Sequence, residues 1–202
     1  MPYARREPRP LTSEEYLMIE RAAPFKSELL HGQILRMAGA SRNHIIINFN
    51  LGLAVGARLD GTGCLGMGND MKVRTSEEGL FAYPDLTLAC GEELYHDTRR
   101  DVLINPTALF EILSPSTASF DRGEKFLLYQ EMDSLRDYVL LWQTTPRVEH
   151  YARQEEGRWF PTIAVGLEAS ITLSAVPVTI PLSEIYRNIV FTPALSLTPA
   201  TE

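Results

Sequence analysis

Two acids in this chain stand where carboxylates need a reason to be. Asp85 follows Pro84 at the head of a run in which Leu86, Leu88 and Cys90 alternate, and Glu111 sits inside Leu109-Phe110-Glu111-Ile112-Leu113. A carboxylate between four apolar neighbours is at least half buried, and buried acids are seldom left without a partner. For Glu111 that partner is a metal ion, or else an arginine or a set of backbone donors. Asp85 and Glu111 lie on consecutive strand candidates separated by one loop, and such strands are adjacent about two-thirds of the time. Two neighbouring carboxylates repel, and one must take up a proton unless a cation lies between them. Mg²⁺ favours such a setting, with one or two carboxylates, waters and substrate phosphate as ligands. It polarises a phosphoryl oxygen and activates water. A nearby lysine would steady the charge growing on the phosphate.

The elements that must position these acids can be read from the pattern. Thr12-Ser13-Glu14-Glu15 is a capping box opening a short helix that stops near Pro24. Lys26 to Met37 reads as a hairpin turning at His31-Gly32, with Glu28 on the surface of its first strand. Ser41 opens the longest helix candidate, to about Leu59. Its stripe of Ile45, Phe49, Gly52, Leu53 and Gly56 is expected to pack on a sheet, with His44 in the first turn as a surface or capping residue. The segment Gly61 to Gly68 lacks the endings of a phosphate loop or dinucleotide fingerprint and is read as a turn into a strand.

Further strands are expected over 69–74, 82–90 and 107–113, with a long polar loop over 91–105. A helix capped by Ser116 or Thr117 then runs to about Asp133. The Leu109 to Tyr138 unit is expected to be a right-handed parallel crossover into a buried strand at 137–142. Gln143, at the end of that strand, is a candidate cleft residue. A hairpin of 147–153 with 159–165, short strands over 171–180 and a last helix from Pro181 or Ser183 follow. The sum is an α/β (α+β) fold, a central mixed sheet flanked by helices. It forms a single domain over 10–190, with residues 1–9 and 191–202 as loose termini.

At 202 residues, 45% hydrophobic and 22% charged, the chain suits one ordinary globular domain. No apolar run reaches the length of a membrane span and no signal peptide opens the chain, so a cytoplasmic protein without a membrane partner is expected. Cys64 and Cys90 make neither a framework nor a CxxC site, and are expected to be reduced and buried. A net charge of −7 speaks against general nucleic-acid coating, since phosphate binding wants local positive charge, but not against an acidic cleft holding a divalent ion.

Several segments taken together resemble the Uma family of restriction-endonuclease-like proteins in the PD-(D/E)xK nuclease superfamily. They are Glu28-Leu29-Leu30-His31-Gly32-Gln33-Ile34, Tyr83-Pro84-Asp85-Leu86-Thr87, Asn105-Pro106-Thr107, Phe110 to Thr117, Asp121-Arg122-Gly123-Glu124-Lys125-Phe126 with Tyr129, Ser134 to Leu140, and Pro181 to Tyr186. The resemblance covers roughly residues 10 to 190. It implies a restriction-endonuclease-like fold and an endonuclease that hydrolyses nucleic-acid phosphodiester bonds, with DNA the expected partner. It also implies Mg²⁺ (or Mn²⁺) as cofactor and, by analogy, a homodimer. Asp85 and Glu111 would be the metal-holding acids, with Glu28 completing the cluster. The superfamily's lysine belongs two residues after the second acid, where this chain has Leu113; Lys125 would replace it from the following helix. His44 matches a frequent histidine to which the resemblance assigns no role.

Two other readings stand beside this one. The missing lysine and the acidic balance favour a fold-keeping relative that binds nucleic acid or a protein without cutting it. A hydrolase of small phosphoesters is the third.

Overall fold

The computed structural model describes residues 9–191. The chain opens with helix α1 (Ser13–Glu20), strands β1 (Ser27–Leu30) and β2 (Gln33–Arg36) and helix α2 (Arg42–Gly56). Five strands follow: β3 (Cys64–Gly68), β4 (Lys72–Arg74), β5 (Phe81–Ala82), β6 (Leu86–Cys90) and β7 (Val102–Leu103). Then come β8 (Ala108–Leu113), α3 (Ala118–Arg122), α4 (Glu124–Gln130), β9 (Asp137–Trp142), β10 (Arg147–Arg153) and β11 (Trp159–Val165). The chain closes with β12 (Ser170–Thr172), β13 (Thr179–Pro181) and α5 (Leu182–Ile185).

Local chemistry accounts for the early elements. The Thr12 side chain accepts from the N–H of Glu15, and the Glu15 carboxylate accepts from the N–H of Thr12, so both ends of the capping box form. The hairpin turns where expected, on His31 (φ 49°) and Gly32 (φ 71°). At Gly32 the positive φ and the closeness of Pro10, whose Cβ would lie 2.3 Å from an added Cβ, exclude other residues.

The sheet departs from the single one expected. The order β2-β1-β5-β4-β7 makes a five-stranded sheet, β11-β10-β9-β8-β6-β3 a six-stranded one, and β12-β13 a separate hairpin. The run expected as one strand over 82–90 divides at Tyr83-Pro84-Asp85, with β5 in one sheet and β6 in the other. Pro84 has no N–H for a ladder, so the chain crosses between sheets there. The strand β7, inside the segment expected as loop, pairs in parallel with β4. The crossover from β8 to β9 is parallel as expected, and α3 and α4 fill it.

The six-stranded sheet carries cores on both faces. Ala108, Phe110 and Ile112 of β8 pack toward α2 and α5, whereas Leu109 and Leu113 pack toward Phe126 and Tyr129 of α4. A fully buried side chain of this size contributes roughly 1.5–3 kcal/mol.

The face α2 turns inward is not the one its periodicity suggested. Ile47, Asn50, Leu51, Ala54 and Val55 are buried, while Ile45, Phe49 and Leu53 are 58%, 66% and 49% exposed. The helix is apolar nearly all round, so spacing alone allows two solutions. Asn50 selects between them, because its Nδ2 donates to the carbonyls of Ile185 and Arg187 (3.0 and 2.8 Å).

The cysteines also correct an expectation. Cys64 and Cys90 face each other across the β3–β6 ladder and form a disulfide, so they are not separate reduced thiols. Disulfides are rare in a reducing cytosol, and this pair removes the cysteine argument for a cytoplasmic location. No helix among the described residues is long and apolar enough to cross a membrane.

A buried clamp holds the β12–β13 hairpin to the main sheet. The fully buried Asp137 carboxylate lies 2.7 Å from His150 Nε2 and accepts from the Ser174 N–H and hydroxyl (2.8 Å each) and the Ala175 N–H (3.0 Å). Burial opposes its charge, but those bonds outweigh burial and hold the carboxyl below its usual range. A folded pKa below the unfolded one contributes stability above the unfolded value of 3.8, lost as pH falls through the folded one. Asp137→Ala, which leaves His150 and the hairpin donors unpaired, is expected to cost about 3 kcal/mol in urea unfolding.

Candidate active site

The crossing at Tyr83-Pro84-Asp85 brings the first acid to the second. The register of Leu86 with Phe110 puts Asp85 at the level of Glu111, and the Asp85 N–H donates to the Phe110 carbonyl (3.0 Å). The Asp85 carboxylate is nearly buried and held at both oxygens. Oδ2 accepts from the N–H of Ile112 (2.7 Å), and Oδ1 lies 2.7 Å from Nε2 of His44. The backbone of one acid's strand thus orients the other acid.

Glu111 shares the face of Leu109 and Leu113 and points to α4. Its Oε1 accepts from the Tyr129 hydroxyl (3.1 Å) and pairs with Lys125 Nζ (2.9 Å). Lys125 is also 3.4 Å from Glu28 Oε1 and 3.6 Å from Asp121 Oδ1. Glu28 Oε1 in turn accepts from the N–H of Tyr83 (3.1 Å), so the β1 acid braces the crossing that carries Asp85. Glu28, expected on the surface of its strand by pattern and in the cluster by resemblance, is in the cluster. Of the residues singled out from sequence, Glu28, Glu111 and Lys125 form one ion-pair cluster. Asp85 lies beside it, with no ion pair to Lys125 among the described residues.

The electrostatics follow from crowding. Burial raises the Glu111 carboxyl well above its usual range; Lys125 works against this, while Asp121, Asp85 and Glu28 add to it. Burial alone would strip the proton from Lys125, but Glu111, Glu28 and Asp121 outweigh it and hold the ammonium. Asp121 is raised by burial as well. Three acids thus meet one lysine, with Asp85 close by on His44, so the cluster holds more carboxylate than one amine balances.

Two members of the cluster, Asp121 and Tyr129, were not singled out as site residues from the sequence. Asp121, Lys125 and Tyr129 are spaced i, i+4, i+8, the signature of one helical face, and that spacing alone could have found them. The helix carrying them is broken at Gly123, between α3 and α4, where a Cβ would lie 3.0 Å from the Ser119 carbonyl. Gln143 is a strut instead of a cleft residue. Its Nε2 donates to the Leu113 carbonyl (2.9 Å), its Oε1 accepts from the Ser41 hydroxyl, and its carbonyl accepts from Asn43 (3.3 Å). This fixes the start of α2, where Ser41 caps the N–H of His44.

Glu20 anchors a second buried network behind the site. Its Oε1 accepts from the Tyr83 hydroxyl (2.8 Å), which also accepts from Lys72 Nζ (3.0 Å). Nothing in the sequence pattern pointed to it.

The mixed-sheet α/β fold thus brings an acid at the foot of β6, an acid of β8 and a helix lysine to one place. A crystal structure described as a putative nuclease belonging to DUF820, from Anabaena variabilis, superposes with a TM-score of 0.72, covering 88% of this chain and 98% of that one at 14% identity. Residues 13–183 match the family Uma2, described as putative restriction endonuclease, and the chain belongs to that family. Two uncharacterised Synechocystis proteins are similar along most of their length. One, sll1609, is 34% identical over 81% of this chain and 93% of its own; the other, slr1290, is 31% identical over 90% and 94%.

Proposed function

We propose that this protein is a metal-dependent endonuclease that hydrolyses nucleic-acid phosphodiester bonds, with DNA as substrate. The observation that carries the reading is the Asp85–Glu111 pair on adjoining strands with the Lys125 amine 2.9 Å from Glu111. The donor set suits a small hard cation: Mg²⁺ is commonly held by one or two carboxylates, waters and phosphate oxygens. Three carboxylates on one lysine, with Asp85 beside them, crowd acid groups that such an ion would help neutralise. Asp85 and Glu111 would hold it, and Mn²⁺ could substitute. When bound, the ion supplies Lewis-acid polarisation of the phosphate and activation of water.

The chain's own groups do the remaining work. Ile112 N–H and His44 keep Asp85 oriented, and Tyr129 does the same for Glu111. Lys125 is poised to donate to a phosphoryl oxygen as negative charge grows on the phosphate during attack. Glu28 and Asp121 keep that amine protonated and aimed, with the Glu28–Tyr83 bond tying its position to the Asp85 crossing. We include in the proposal a homodimer that sets two sites against two strands; the exposed stripe of Ile45, Phe49 and Leu53, beside His44, supports it as the pairing face.

The test is cleavage of plasmid and oligonucleotide DNA with Mg²⁺ or Mn²⁺. Cutting should stop with EDTA and fall about 10³-fold or more in Asp85→Asn with folding retained, the loss of several kcal/mol of charge stabilisation. Unchanged cutting in Asp85→Asn would remove the reading.

A second reading rests on Lys125 itself. Its ion pairs to Glu28, Glu111 and Asp121 would also suit a site closed by an internal counter-ion in a relative that binds nucleic acid without cutting it. Calorimetric titration with Mn²⁺ separates the two: heat of binding that disappears in Asp85→Asn belongs to the enzyme, and none in the wild type belongs to the binder.

A further inference from the structure

An acid-rich site on a chain of net charge −7 repels the polyanion it would cut, so positive charge must stand beside it. The place where it stands can be followed across the sheet. Glu111 of β8 pairs with Leu140 of β9, and Leu140 pairs with Glu149 of β10. Paired residues share a face, so Glu149 lies on the Glu111 face two strand spacings away, about 10 Å. Unlike Glu111, it is met by guanidinium groups. Arg122 Nε donates to its Oε2 (3.1 Å) and Arg147 donates to its Oε1 (3.0 Å), while the carboxylate itself is 1% exposed.

Two arginines on one buried carboxylate leave an uncompensated positive charge. Both remain open, with side chains 45% and 35% exposed, and both guanidinium carbons lie over the Trp142 ring, at 5.7 and 5.5 Å from its centroid. The indole and the carboxylate fix the two planes, with the Tyr151 hydroxyl beside Arg122 and Glu149. Arg147 Nε is buried, but the outer N–H groups of both side chains are open to donate, and arginine's fork matches phosphate oxygens. Arg122 also follows Asp121 directly, so the helix turn that delivers an acid to the cluster delivers a cation to its rim.

We infer that Arg122 and Arg147, held on Trp142 and Glu149, form a phosphate seat for the nucleic-acid strand whose neighbouring phosphodiester lies over Asp85 and Glu111. The inference rests on the nuclease reading for its substrate class but not for its geometry. The seat reads no base; it sets the path of the backbone.

The test is binding of fluorescein-labelled 20-nucleotide DNA, single-stranded and duplex, followed by anisotropy in EDTA across a salt series. Since Arg122→Gln with Arg147→Gln would leave the buried Glu149 carboxylate without a counter-charge, with only the Tyr151 hydroxyl (3.3 Å) donating to it, the working variant adds Glu149→Gln, and Glu149→Gln alone is its control. The triple variant should bind about tenfold more weakly than the control at low salt, its salt slope smaller by about one for each arginine. Glu149→Gln alone should bind more tightly than the wild type, because both arginines lose their internal counter-ion; a merely structural carboxylate would not give that gain. A triple variant that folds, by circular dichroism, and binds with the control's affinity and slope overturns the seat, as does a wild type that binds neither DNA. Binding that falls as expected without Mn²⁺-dependent cleavage keeps the seat and removes the nuclease reading instead.

Discussion

Lys125→Met is expected to destabilise the metal-free protein by about 3–5 kcal/mol, the usual cost of removing one member of a buried ion cluster. The lysine is 4% exposed and is the amine that Glu111, Glu28 and Asp121 share. Methionine matches its length and packs, so the loss reports charge and not a cavity. Two buried carboxylates and the half-buried Glu28 then face one another without a cation, and each must protonate or find water. Urea unfolding at neutral pH measures the loss. Millimolar Mn²⁺ should recover part of it, since an ion that binds the folded state alone stabilises by mass action. A variant as stable as the wild type would mean that the acids are already neutral and that Lys125 is a bystander.

Glu111→Gln should act in the opposite direction on stability and in the same direction on cutting. The Glu111 carboxyl is pushed well above its usual range by burial, with Asp121, Asp85 and Glu28 adding to the effect. In the window between the unfolded value of 4.5 and the raised folded one, the native state binds more proton than the unfolded state. Stability therefore falls as pH rises through that window. Glutamine removes this slope and still accepts from Tyr129 and Lys125. The variant should be more stable than the wild type at neutral pH by about 1 kcal/mol, a common gain when a strained functional site is relieved. Cleavage should fall by about 10³-fold or more, since the amide is a poor ligand for a hard cation. Denaturation at several pH values, alongside the cleavage assay, checks both halves. A variant that loses stability at neutral pH would contradict the account of the charge at Glu111.

These opposed signs show why the sequence revealed some of the site and hid the rest. Strong local signals were legible: the Thr12–Glu15 capping box, the His31-Gly32 turn and the hairpin of 147–153 with 159–165 each depend on a few neighbouring residues. The acids were legible because charge inside an apolar run is locally anomalous. What could not be read was tertiary choice. Apolar residues all round α2 left its inward face to be decided by Asn50, whose partners lie more than 130 positions away. The split of 82–90 into two sheets turned on one proline, and the Cys64–Cys90 pairing on a register that spacing does not encode. Asp121 was within reach, since its spacing to Lys125 is that of a helical pair, but a break at Gly123 lay between them. The expected loose termini, 1–9 and 191–202, fall almost wholly outside the described residues.

The exposed apolar stripe of α2 has a bearing on assembly. It borders the His44–Asp85 contact, so a partner seated there would lie against the proposed metal-holding acid. Sedimentation of the wild type and of Phe49→Ser would show whether the stripe pairs two copies.

The central claim is that Asp85 and Glu111 share one divalent ion. Anomalous scattering from a crystal grown with Mn²⁺ tests it most directly. A single Mn²⁺ peak is expected about 2.1–2.2 Å from a carboxylate oxygen of each acid, as for a hard cation on oxygen ligands. A crystal in which Lys125 stays on Glu111 and no Mn²⁺ peak lies between the two acids would contradict it.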